Sequence, residues 1–159
     1  MRKNFLIIGL SGMLLISISF AYKYYNLNIF SIFPLDSKTA HPSDSPPLYL
    51  FLYFHSHDCP KCLKIIETLN NLPPHFIIKG IVPKDEIKDK EIIKKRLGAN
   101  FDIEPATKYK KFVPLISPCL IGVTKSKAVI FIIPALPEQD KYLLDFLEST
   151  YYNRILVGF

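Results

Sequence analysis

The chain has 159 residues, enough for one domain plus an N-terminal segment, and 49% of them are hydrophobic, which is ample for a core. Its formal charge of +6 does not mark a nucleic-acid binder. The lysines between Lys79 and Lys111 are mixed with Asp85, Glu86, Asp89, Glu91, Asp102 and Glu104, the pattern of a solvated helical surface, and no basic stripe with interleaved aromatics stands out.

The N-terminus decides the compartment, because three cysteines are too few for a structural disulfide framework. A short basic start, with Arg2 and Lys3, leads into Phe5–Ala21, which is apolar apart from serines and glycines. That run is short for a spanning helix and long for a signal-peptide core. Small Ser19 and Ala21 suit cleavage after Ala21, which would release a soluble exported protein. The aromatic YKYYNLNIF that follows suits an interfacial belt, so an uncleaved membrane anchor over residues 1–27 is favoured. The basic residues ahead of the run place the remainder outside the cytoplasm, in a bacterial periplasm or at the cell surface. Residues 28–44, with Pro34 and Pro42, read as a linker, and residues 45–159 as the domain.

Within the domain, Leu48–Phe54 is apolar throughout, as in a central strand covered on both faces. A polar turn, His55–Asp58, precedes Cys59. From Pro60 to Leu72 the period becomes helical, with Cys62, Ile65, Ile66 and Leu69 on one face and Pro60 in the first turn. Pro73–Pro74 stops that helix. His75–Gly80 reads as a strand and Ile81–Lys84 as a turn. Asp85–Leu97 reads as a surface helix ended by Gly98. Ala99–Ser117 has no strong period, although Pro105–Phe112 suits a helical turn with Tyr109 and Phe112 packed down. Pro118–Val123 and Ala128–Ile133 read as strands joined by a turn at Thr124–Lys127. Glu138–Tyr151 reads as the last helix, with Tyr142, Leu143, Phe146 and Leu147 inward. The expected fold class is α/β: a four-stranded mixed sheet with helices on both faces.

Cys59 and Cys62, three positions apart at a helix start, form a C-x-x-C beyond the C-terminal end of the first strand, where open α/β sheets carry their sites. Free backbone N–H groups and the helix dipole favour a thiolate at Cys59, the attacking sulfur. Cys62, one turn in on the apolar face, is the shielded resolving sulfur that breaks a mixed disulfide with a partner. Lys61 adds positive charge, His55 and His57 do so when protonated, and Asp58 opposes them. A metal reading stays open beside this one. His55, His57, Cys59 and Cys62 form H-x-H-x-C-x-x-C, a set suited to Cu(I) or Zn(II) binding and delivery.

These residues, with a second motif at Leu115–Gly122 (LISPCLIG), make Ser45–Thr150 resemble the thioredoxin-like superfamily, and specifically its exported, membrane-tethered thiol–disulfide oxidoreductases. The resemblance implies a thioredoxin-like fold and a cis-proline facing the dithiol, for which Pro118 fits better than Pro114. It also implies that the Ser117 backbone pairs with an extended substrate segment. In the tethered members a short strand and helix precede that proline. The implied partners are exported protein thiols or disulfides and a separate redox partner, with membrane contact through the N-terminal helix; no cofactor is implied and no nucleic acid.

The chain departs from the family pattern in three places. Asp58 replaces the tryptophan before the first cysteine. Tyr53 replaces the buried acid six residues before it. Cys119 follows the cis-proline position, either as a buried strand thiol or as a neighbour of Cys62. The P-x-x-x-T-x-x-C arrangement of a peroxiredoxin is missing ahead of Cys59. A thioredoxin-fold interaction module with silent cysteines is the third class of function.

Overall fold

The computed structural model describes residues 32–35, 45–56, 60–136 and 139–157, and of Pro60, Lys61 and Asp140 the backbone only. The N-terminal apolar run, Phe5–Ala21, lies outside them. Among the described residues no helix is long and apolar enough to cross a membrane.

Strand β1 (Leu48–Tyr53) occupies the centre of the sheet and every one of its residues is buried. Helix α1 (Pro60–Asn70) leads to β2 (Phe76–Val82), which pairs parallel with β1. A 3₁₀ turn at Ile87–Asp89 opens α2 (Lys90–Leu97), and Gly98 ends it in the left-handed conformation at φ 66°, the cap that glycine adopts without a Cβ penalty. Strand β3 (Asp102–Pro105) then pairs parallel with β2. A second 3₁₀ turn, Ala106–Tyr109, precedes the antiparallel pair β4 (Cys119–Thr124) and β5 (Val129–Pro134). Helix α3 (Asp140–Tyr151) and a π-helical turn, Tyr152–Leu156, follow.

The sheet order is β3-β2-β1-β4-β5, with β4 antiparallel to β1. The sheet therefore has five strands, not four. The fifth, β3, is only four residues long and carries charge at Asp102 and Glu104, so it has no apolar period to betray it. It sits at an edge, where short charged strands are favoured. Strand β2 also runs two residues further than the sequence implies, through Ile81 and Val82.

The alternation of β1 divides the core in two. Leu48, Leu50, Leu52 and Phe54 face one side, where Cys62, Ile65, Ile66 and Leu69 of α1, Ile93 and Leu97 of α2, and Leu143, Leu147 and Tyr151 of α3 pack on them. All three helices share this side, which corrects the expectation of helices on both faces. Successive right-handed crossovers in one direction across a sheet put their helices on the same side. Tyr49, Phe51 and Tyr53 face the other side and meet Phe33, Leu35, Tyr109, Phe112, Ile121 and Val123. The ring of Phe33 lies 4.5 to 5.1 Å from those of Phe51, Tyr109 and Phe112. Its backbone N–H donates to Lys127 O at 3.0 Å. Ile32–Leu35 thus belongs to the compact unit, although it falls in the stretch read as a linker. Prolines break regular structure, but an irregular segment that leads into one still buries its aromatic here.

Helix α3 buries Leu143, Leu147 and Tyr151, spaced by four, while Tyr142 is 75% exposed and Phe146 38%. Tyr142 is a correction to the inward set. Phe146 lies between, edge-on to Phe131 at 5.0 Å.

Candidate active site

The site lies at the C-terminal end of β1. Cys62 sits in the first turn of α1, is fully buried, and is disulfide-bonded. It belongs to the helix-side core, as the spacing of Cys62, Ile65, Ile66 and Leu69 predicts. Cys59, Asp58 and His57 lie outside the described residues, as does the side chain of Lys61.

The Ser117–Pro118 peptide bond is cis. Register places it beside this end of β1: Tyr53 pairs with Cys119 across β1 and β4, so Pro118 falls one step further on, next to Phe54. Pro118 O accepts from Ala135 N–H at 2.9 Å, which ties the loop to the strand end of β5. Ser117 is exposed, and so are Leu115 and Ile116 before it.

Cys119 is a free, buried thiol whose Sγ donates to Ile133 O at 2.9 Å. Burial pushes this thiol up to about 11, against a smaller lowering from the Leu120 backbone hydrogen bond. In β4 it alternates with Leu120, which faces the helices, and shares its side with Ile121 and Val123. Cys119 and Cys62 are therefore on opposite sides of the sheet, which removes the reading of Cys119 as a neighbour of Cys62.

The loop between β1 and α1 is held from the crossover that follows β2. Glu86 is buried, and its carboxylate accepts from Ser56 N–H at 2.6 Å. The same carboxylate takes His55 Nδ1 at 3.3 Å. The other ring nitrogen, His55 Nε2, lies 3.1 Å from the Tyr53 hydroxyl. With Nδ1 donating to Glu86, Nε2 of the neutral ring accepts from Tyr53 O–H. Burial raises the Tyr53 phenol, and the charges of Glu86 and Asp85 raise it further, so it stays a donor. Arg96 Nη2 completes the clasp by donating to Ser56 O at 2.5 Å.

Glu86 and Arg96 escape a reading of the sequence, which places both on a solvated surface. A usable signal exists for Glu86: it lies in the crossover just beyond β2, at the same end of the sheet as the C-x-x-C. The sequence does single out His55, but for charge or ligation. Both its nitrogens are engaged by protein groups, and the sulfur of Cys62 is in a disulfide rather than a thiolate. Among the described residues no cluster of three His, Cys, Asp or Glu side chains is placed to hold a metal.

A half-buried polar cluster lies away from the site. Glu104 accepts from Lys79 at 2.5 Å, from Lys108 at 3.3 Å and from the Tyr109 hydroxyl. Burial alone raises the Glu104 carboxyl, but the hydrogen bonds from Lys79 and Tyr109 and the charges of Lys79 and Lys108 outweigh it and hold the group below its ordinary value of 4.5.

A central β1 flanked by a parallel β2 and an antiparallel β4, a cysteine in the helix after β1 and a cis-proline before β4 define a thioredoxin-like fold. Solved structures agree. A putative thioredoxin of Neisseria meningitidis matches with TM-score 0.55 at 19% identity, over 69% of this chain and 77% of its own. A thioredoxin-like protein of Parabacteroides distasonis matches with TM-score 0.53 at 14% identity, over 75% of this chain and 96% of its own. A secreted Mycobacterium tuberculosis disulfide oxidoreductase homologous to E. coli DsbE matches with TM-score 0.52 at 10% identity, over 65% of this chain and 81% of its own. No protein-family model matches the sequence, and no curated protein does.

Proposed function

We propose that the chain is a thiol–disulfide oxidoreductase that exchanges a Cys59–Cys62 disulfide with cysteines of exported proteins. The observation that carries this reading is the disulfide at Cys62, fully buried in the first turn of the helix that follows the central strand. Cys119 is free, and the sequence holds one further cysteine, Cys59. Cys59 is the attacking sulfur: its thiolate bonds to one sulfur of a substrate disulfide and expels the other as a thiolate. Cys62 then attacks Cys59 in the mixed disulfide and releases the second substrate thiolate, so two electrons pass from the dithiol to the substrate. Run backwards, the same steps oxidise a substrate dithiol. Exposed Ser117, beside cis-Pro118, offers its backbone to an extended substrate segment. A separate redox partner resets the dithiol.

The apolar Phe5–Ala21 run anchors the domain outside the cytoplasm in this reading. The secreted oxidoreductase among the similar structures is consistent with that compartment. The test is reduction of insulin disulfides by the full chain with dithiothreitol as electron source. Catalysis by the wild-type chain and its loss in Cys59→Ser supports the reading. Equal rates with and without the wild-type chain sink it.

A further inference from the structure

Resting on the dithiol reading above, we infer that Glu86 and Arg96 are positioning residues for that dithiol. They grip the two sides of one residue in the loop that delivers Cys59. Glu86 takes the N–H of Ser56 and Arg96 donates to its C=O, so a single residue is clamped from both sides. Both clamps come from far along the chain, 30 and 40 positions away. Glu86 reaches the β1–α1 loop from the turn between β2 and α2, whose start β1–β2 pairing brings beside it, and Arg96 reaches it from the last turn of α2.

The Glu86 contact has the marks of a built device. A carboxylate is rarely buried without a partner, and this one spends both oxygens on the loop: one on Ser56 N–H, the other on His55 Nδ1. His55 in turn receives Tyr53, the residue standing where the resembled family has its buried acid. Tyr53, His55 and Ser56 are thereby fixed through one carboxylate. Ser56 lies three residues before Cys59. Fixing its peptide narrows the positions open to Cys59 relative to Cys62, which is held in the helix. A disulfide closes in proportion to the time its two sulfurs spend in reach of one another, so ordering the loop stabilises the ring against opening.

The reaction that reads this is exchange with glutathione: the protein disulfide takes two electrons from two glutathione thiols and gives the protein dithiol and glutathione disulfide. The full chain is equilibrated across glutathione ratios, and the dithiol fraction is counted by alkylation and mass. Glu86→Ala is expected to shift the equilibrium roughly tenfold toward the dithiol, the scale of one lost charge-assisted hydrogen bond. Arg96→Ala, at an exposed position that does not endanger folding, is expected to shift it the same way by about threefold, the scale of a weaker, partly solvated bond. Glu86→Gln keeps an oxygen for Ser56 N–H and is expected to stay near wild type.

A shift in Glu86→Gln equal to that in Glu86→Ala would make the effect one of charge and overturn the positioning role. Glu86→Ala and Arg96→Ala both matching wild type would overturn it as well; if Glu86→Ala does not fold, Arg96→Ala and Glu86→Gln decide. A wild-type chain that exchanges with glutathione at no ratio would instead defeat the dithiol reading, and this inference with it.

Discussion

The two sides of β1 are built differently, although they are made from alternate residues of one six-residue strand. On one side Leu48, Leu50 and Leu52 meet three α-helices. On the other Tyr49, Phe51 and Tyr53 meet aromatic rings carried by an irregular segment, Ile32–Leu35, and by the stretch around a 3₁₀ turn. The chain's described cysteines divide the same way. Cys62 belongs to the helix side and is oxidised; Cys119 belongs to the aromatic side, is free, and has its thiol pushed up to about 11. The difference lies in what surrounds each sulfur: a helix start around Cys62, a strand interior around Cys119. A helix start supplies free N–H groups that favour a thiolate. A strand interior supplies only burial, which disfavours one.

The largest expected effect that separates the two sides is Phe33→Ala. Phe33 is fully buried among three rings, so its truncation is expected to cost about 3–5 kcal/mol in denaturant unfolding, by lost transfer energy and the cavity left behind. The glutathione equilibrium of the folded fraction stays as in wild type, because the disulfide lies across the sheet. An unchanged unfolding midpoint would mean that Ile32–Leu35 does not hold the aromatic side.

On the helix side the matching perturbation is Gly122→Ala. Gly122 pairs with Phe131 across β4 and β5, and the Phe131 ring fills the space where a Cβ would stand. Phe131 also meets Phe146 of α3 edge-on. Displacing the ring is expected to cost about 1–3 kcal/mol, the usual range for overpacking. A neutral result would show that this ring shifts freely.

A smaller effect is expected from Glu104, beneath the aromatic side. Its folded carboxyl is held below 4.5, so the stabilisation from Lys79, Tyr109 and Lys108 is complete above pH 4.5 and is lost as pH falls through the lowered folded value. Glu104→Gln is expected to flatten the acid limb of the stability profile while leaving its alkaline limb in place. Parallel acid limbs in the two proteins would contradict the ion-pair account.

Most of this asymmetry can be traced to the sequence, but not all of it. The unbroken apolar run of β1, the helical spacing of Cys62, Ile65, Ile66 and Leu69, and the cap at Gly98 follow from periodicity and backbone chemistry. The short strand β3 does not, because pairing with β2 rather than its own pattern makes it a strand. Phe33 is hidden at the head of a proline-rich stretch with no regular period. Glu86 is hidden among surface charges, since burial of a lone carboxylate is decided by which loop comes to meet it, in this case Ser56 from 30 positions earlier. Helix facing misleads at Tyr142 because the inward stripe of α3 runs through Leu143, Leu147 and Tyr151.

The most direct test of the division between the two sides is to trap the exchange. The full-length Cys62→Ser chain is reduced, mixed with oxidised insulin, and the disulfide-linked product is mapped by peptide mass. The account predicts one insulin chain joined to Cys59 and an unreacted Cys119. A product joined through Cys119, or no mixed disulfide at any pH where the protein stays folded, would contradict it.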